Sequence, residues 1–245
     1  MRLIGIMWAV DPLVAFLPGF AQRGDAWAPV AERVGQSYRS VCIDFGSFSF
    51  DQRLGEIASR VDDGDVIVGY SMGGRLALRA ALRRPGKFGA LVLVGASPGI
   101  EDEGERLARK QADEELADWI EEHSIEDFAE RWEAQPIFAS QPPELVEAQR
   151  AGRLSYEPRK LAQLLRSGGQ GTFEPVWNEL ERIDCPVLAV AGELDTKYAD
   201  TAYRIAERVK LGRARLVAGA GHAPQLERPA ELAELLLDFL DENLR

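Results

Sequence analysis

Residues 65–82 read Asp65-Val66-Ile67-Val68-Gly69-Tyr70-Ser71-Met72-Gly73-Gly74-Arg75-Leu76-Ala77-Leu78-Arg79-Ala80-Ala81-Leu82, and this stretch decides the fold. Its opening is an apolar run of strand length, and its close, rich in alanine and leucine, suits a helix. Between them stands Gly69-Tyr70-Ser71-Met72-Gly73, a Gly-x-Ser-x-Gly elbow. A serine on so sharp a strand-to-helix turn occupies strained backbone, and the glycines are needed because side chains there would collide. The spacing predicts an accessible Ser71 hydroxyl at the C-terminal edge of a sheet, where open α/β sheets bind ligands.

A serine hydroxyl is a poor base and a poor nucleophile until an imidazole takes its proton. The chain offers two histidines. His123 lies in Glu121-Glu122-His123-Ser124 and reads as a surface residue at a helix end. His222 lies in Gly219-Ala220-Gly221-His222-Ala223-Pro224, a loop between a strand and the terminal helix, which brings it to the same sheet edge as Ser71. The imidazole needs a carboxylate to fix its tautomer, and Asp195, ending Gly192-Glu193-Leu194-Asp195, is the candidate. Glu193 competes, but it sits nearer the strand end and is expected to point away. The order Ser71, Asp195, His222 is that of the α/β-hydrolase fold. An oxyanion hole would combine the Met72 N–H with that of Phe20, in Phe16-Leu17-Pro18-Gly19-Phe20, aimed where negative charge develops.

The rest of the chain fits an α/β fold, a mostly parallel sheet flanked by helices. Strands are expected at Leu3–Ala9 and Leu13–Leu17, either side of an Asp11-Pro12 turn, then at Ser40–Asp44, Asp65–Gly69, Ala90–Gly95, Pro186–Ala191 and Ala214–Ala218. Helices are expected at Asp25–Gln36, Gln52–Val61, Gly74–Arg83, Ala199–Lys210 and Ala230–Asn243. From Ile100 to Asn178 no strand pattern occurs. The expected organisation is therefore a core of residues 1–99 and 179–245, with residues 100–178 as a helical cap insertion. The acidic first half of that cap reads as a solvated helix face.

With 245 residues and 46% hydrophobic content, the chain can bury a substantial core. No apolar run reaches the roughly 20 residues that span a bilayer, and no secretory signal opens the sequence, so a cytoplasmic protein is expected. Net charge −11 argues against nucleic acid or an anionic membrane as partner. It leaves room for an anionic small molecule met by local arginines. Cys42 and Cys185 read as buried free thiols, with neither a disulfide nor a metal site suggested. Oligomeric state is not encoded in any visible pattern.

Several segments together resemble 2-succinyl-6-hydroxy-2,4-cyclohexadiene-1-carboxylate synthase of menaquinone biosynthesis. They are Gly69–Leu78, Ala96-Ser97-Pro98-Gly99-Ile100, Gln135-Pro136-Ile137-Phe138-Ala139-Ser140, Gly192–Tyr198 and Ala220-Gly221-His222. The resemblance implies a lyase that needs no external cofactor. Ser71, backed by His222 and Asp195, would abstract a proton from a cyclohexene polycarboxylate bearing an enolpyruvyl ether, and pyruvate would leave. It also implies substrate-binding roles for Tyr70, Trp132 and three arginines, Arg75, Arg109 and Arg150, whose planar forks suit carboxylates. The chain departs from the family at Pro18, where a histidine is usual, and at Phe45–Ser49, both expected on the substrate-facing rim. Two alternatives stand beside the lyase. One is a carboxylesterase using the same triad through an acyl-enzyme; the other is a ligand-binding protein on the same fold.

Overall fold

A computed structural model describes residues 12–244; the strand expected at Leu3–Ala9 lies outside the described residues. Among the described residues six parallel strands form one sheet: β1 (Leu13–Leu17), β2 (Arg39–Cys42), β3 (Val66–Tyr70), β4 (Ala90–Val94), β5 (Val187–Gly192) and β6 (Gly212–Val217), in the order β2-β1-β3-β4-β5-β6. Sequence character explains the order. β3, β4 and β5 are uninterrupted runs of apolar residues and glycine, and every residue in them is buried, as a strand covered on both faces requires. β2 and β6 alternate, with Arg39, Arg213 and Arg215 among their outward residues, and among the described strands they stand outermost, where charge is tolerated.

Parallel neighbours need crossovers, and helices supply them. They are α1 (Ala28–Val34), α2 (Phe50–Arg60), α3 (Met72–Arg83), α4 (Glu103–Glu122), α5 (Ile125–Glu133), α6 (Pro143–Leu154), α7 (Pro158–Gly168), α8 (Thr196–Arg208), α9 (Pro224–Glu227) and α10 (Pro229–Leu244). The pleat sends alternate strand residues to opposite layers. Ala15, Leu17 and Ile67 join a core with α2, α3 and α8, while Val14, Phe16, Val66 and Val68 join a second core with α1 and α10. Trp27 is fully buried in that second layer and its indole N–H donates to Leu17 O at 2.9 Å. This fixes the end of β1, from which the loop toward Phe20 departs.

Two expectations need correction. The single helix at 25–36 is a 3-10 turn, Gly24–Trp27, followed by the shorter α1, because Pro29 favours the first turn of a new helix over the middle of an old one. Cys42 is only partly buried, on the outermost of the described strands; Cys185 is buried, and both thiols are free.

Between β4 and β5, α4–α7 run without a strand among the described residues. Their starts are written in the sequence. Asp102 accepts from Glu105 N at 2.8 Å; Ser124 and Asp127 form a reciprocal capping box; Pro143 and Pro158 open α6 and α7. The acidic face of α4 is exposed, but it is not left entirely to water. Arg166 of α7 reaches Glu114, Asp118 and Glu121 along it. Each such exposed pair contributes at most about 1 kcal/mol. No helix of the described residues is long and apolar enough to cross a membrane.

Candidate active site

Ser71 links β3 to α3 with φ +50° and ψ −109°, a region that a non-glycine residue enters only when its surroundings force it. The surroundings do so from both sides. A Cβ on Gly69 would lie 2.3 Å from Gly73 O, and one on Gly73 would lie 2.3 Å from Leu17 O, so β3, α3 and the end of β1 meet backbone to backbone. Ser71 N donates to Val94 O at 2.9 Å, pinning the elbow to β4. Met72 is the first residue of α3, so its N–H is among those a helix leaves unpaired.

His222 Nδ1 lies 2.6 Å from Asp195 Oδ2, with the two side chains only 5% and 12% exposed. A carboxylate can only accept, so Nδ1 carries a proton, and the neutral form of the ring would hold its lone pair on Nε2. Asp195 caps α8, with Oδ1 accepting from Tyr198 N at 3.4 Å. Its turn is fixed to the histidine loop by Leu194 N donating to Ala220 O at 2.9 Å. Glu193, the competing carboxylate, is exposed and accepts from Gly219 N at 2.9 Å, away from the imidazole. Tyr198 and Tyr70 flank His222, with ring centroids 4.6 and 5.3 Å away. Burial pushes both phenols above their ordinary pKa, so they remain neutral hydroxyls. His123 is exposed at the end of α4, stacked on Trp119, as a surface helix-end residue should be.

Ser71 and His222 line one cavity that is open to solvent, a concave site of the kind that takes up small molecules. The structure brings together there Phe20, Met72, Tyr70, Trp132, Arg75 and Arg109, all expected from the sequence. Arg75 rises from α3, one turn after the serine, and donates to Gly168 O at 2.5 Å. Burial pushes its guanidinium down to about 10, which leaves it a cation at neutral pH. Arg109 is braced through Nε by Asp113 Oδ1 at 2.8 Å and through an η nitrogen by Gln170 at 3.4 Å.

Arg150 is a correction. It is drawn off to Glu133 at 2.5 Å and Glu130 at 3.5 Å and does not line the cavity. Arg153, one turn further along α6, lines it instead. This residue is almost fully buried and is held by Glu133 Oε1 at 3.0 Å and Gln149 Oε1 at 2.9 Å. Its Nε is buried without a partner among the described residues. Burial lowers its pKa, against the pull of Glu133. Sequence reading also missed Gln22 and Phe138 on the cavity wall; Phe138 stands in a segment the sequence singles out and Gln22 just beyond one, but nothing in a single chain says which way a loop residue faces.

The two departures from the family pattern lie elsewhere than expected. Neither Pro18 nor any of Phe45–Ser49 lines the cavity. The second segment is held from within the fold: Glu56 accepts from Gly46 N at 3.1 Å and Ser47 N at 2.9 Å, and the buried Arg53 lies over the Phe45 ring at 4.7 Å. No cluster of three or more histidine, cysteine or carboxylate side chains that could hold a metal occurs among the described residues.

Comparison with known proteins places this geometry. Residues 14–235 match the alpha/beta hydrolase family. A Bacillus subtilis (strain 168) protein, provisionally named 2-succinyl-6-hydroxy-2,4-cyclohexadiene-1-carboxylate synthase, is 31% identical, over 93% of this chain and 89% of that protein. The synthase of that name from Salmonella paratyphi B (strain ATCC BAA-1250 / SPB7) is 28% identical over 94% of each chain. The solved structure of MenH from S. aureus superposes with a TM-score of 0.87 at 28% identity, covering 99% of this chain and 98% of that one. The chain belongs to the alpha/beta hydrolase family, in the branch that holds these synthases.

Proposed function

We propose that this chain is the lyase that eliminates pyruvate from 2-succinyl-5-enolpyruvyl-6-hydroxy-3-cyclohexene-1-carboxylate to give 2-succinyl-6-hydroxy-2,4-cyclohexadiene-1-carboxylate, a cytoplasmic step of menaquinone biosynthesis. The observation that carries the reading is one cavity lined by Ser71, by His222 with Asp195 hydrogen-bonded behind it, and by Arg75, Arg109 and Arg153. A polyanion needs cations in a site that removes water, and three guanidiniums in a chain of net charge −11 concentrate positive charge where that substrate would lie. A cavity for a neutral ester has no use for three of them.

In this reading His222 Nε2 takes the hydroxyl proton of Ser71, and the Ser71 oxygen takes a proton from the substrate ring. The electron pair of that C–H bond shifts into the ring as a new double bond. The C–O bond to the enolpyruvyl group breaks, and the group leaves as pyruvate once protonated. The Phe20 and Met72 amides stabilise negative charge as it develops on the substrate carbonyl. Asp195 stabilises the imidazolium that forms. Residues 100–178 act as a cap over a core of residues 1–99 and 179–245: they contribute Arg109, Trp132, Phe138 and Arg153 to the cavity wall, opposite the sheet edge that carries Ser71. No metal or external cofactor enters any of these steps.

The test is pyruvate release from the enolpyruvyl substrate, followed with lactate dehydrogenase. The wild-type chain is expected to release one pyruvate per diene formed, and Ser71→Ala to lose at least about a thousandfold in kcat. Absence of pyruvate from the wild-type reaction overturns the proposal.

A further inference from the structure

The Glu227 side chain, at the end of α9, turns back on the histidine loop. Its Oε2 accepts from Gly221 N at 2.7 Å and its Oε1 from Ala223 N at 3.0 Å. Those are the amides of the residues immediately before and after His222, so one carboxylate grips both sides of the imidazole-bearing residue. Oε2 also accepts from Ser140 Oγ at 2.8 Å. Ser140 ends the Gln135–Ser140 segment, whose Pro136, Ile137 and Phe138 line the active cavity; the Phe138 ring lies 6.5 Å from that of His222. The approach is close: a Cβ on Gly221 would sit 2.0 Å from Ser140 Oγ. A shift of the 135–140 loop therefore acts on the oxygen that holds Gly221, and through it on the position of His222 relative to Asp195.

We propose that Glu227 is a positioning residue, setting His222 through the amides on either side of it and making that setting depend on Ser140, so that the loop over the cavity and the base settle together. The proposal rests on His222 acting as the base of Ser71, as in the reading above, but not on the identity of the substrate. Charge-assisted bonds to backbone N–H groups are the strong kind, and a carboxylate offers both oxygens to donors. An amide at 227 would have to turn its NH₂ toward an N–H or toward the Ser140 hydroxyl.

The experiment compares the full chain with Glu227→Gln, Ser140→Ala and the double variant, by pyruvate-release kinetics and by the far-downfield proton resonance of His222 Nδ1–H. Glu227→Gln is expected to lower kcat at least tenfold with KM within about twofold, and to move or broaden the resonance while the folded fraction stays unchanged. Ser140→Ala, an exposed change that leaves the fold alone, is expected to lower kcat about threefold and to have no further effect in the Glu227→Gln background, as a shared path requires. The proposal is overturned by wild-type kcat and resonance in Glu227→Gln, by a loss that merely follows the folded fraction, or by additive effects of the two changes. If the wild-type chain releases no pyruvate, the substrate reading fails, and the His222 resonance in the variants still decides this one.

Discussion

Ser71 is held at φ +50°, which costs the fold on the order of 1–3 kcal/mol and delivers the hydroxyl to the cavity in return. Its exposure depends on Gly69 and Gly73 remaining without side chains, a requirement legible from the pentapeptide alone. Arg153 was not legible in this way. The family pattern points to its neighbour Arg150 instead, and both residues share Glu133; Arg153 is the one of the two that lines the cavity. That difference is measurable. Arg153→Met is expected to lower kcat/KM by about 10- to 100-fold, the loss of one or two charge-assisted hydrogen bonds, whereas Arg150→Met should stay within about threefold. Steady-state kinetics on purified variants check this, and equal losses in the two would return the substrate role to Arg150.

Among the elements, the strands and long helices were readable because periodicity and burial agree. β3 and β4 are apolar on both faces, and α3 follows the elbow directly. Boundaries slipped where a single residue outweighed the pattern, as Pro29 did in the segment read as one helix over 25–36. The sequence reads residues 100–178 as helical, but not the number or packing of the four helices over 103–168, since helix packing is set by contacts between segments distant in sequence. α5 illustrates how such an element reaches the site: Phe128 and Trp132 on it pack against Phe20 at 6.3 and 5.0 Å between ring centroids, joining residues 103–168 to the loop proposed to carry an oxyanion donor. Ser124 starts that helix through its capping box. Ser124→Ala is expected to cost about 1 kcal/mol, lowering the midpoint of thermal unfolding by about 2–4 °C with kinetics unchanged at 25 °C. Calorimetry alongside an activity assay checks both halves, and an unchanged midpoint would show that the cap contributes nothing.

At the scale of the whole molecule, the acidic surface and the basic cavity are separate facts that composition reports only as their sum. The −11 charge spreads over exposed helices such as α4, while Arg75, Arg109 and Arg153 converge on one interior space. The buried thiol of Cys185 tests how tightly the molecule closes. Burial pushes it up to about 11, so it is protonated below that pH and only about one part in a thousand is thiolate at pH 8. Its modification by iodoacetamide at pH 8 is expected to follow global unfolding in urea, and to quicken in native conditions only as the pH rises toward 11; fast native modification at pH 8 would contradict the packing around β5. In the proposed chemistry His222 takes the Ser71 proton, and Ser71 then acts as a base and not as an acyl carrier. The most direct measurement sets pyruvate release from the enolpyruvyl substrate against p-nitrophenyl acetate hydrolysis, on one preparation, with Ser71→Ala as the blank. The account predicts that kcat/KM for pyruvate release exceeds that for the ester by at least a thousandfold, about 4 kcal/mol in the transition state; efficient ester cleavage with no pyruvate release would contradict it.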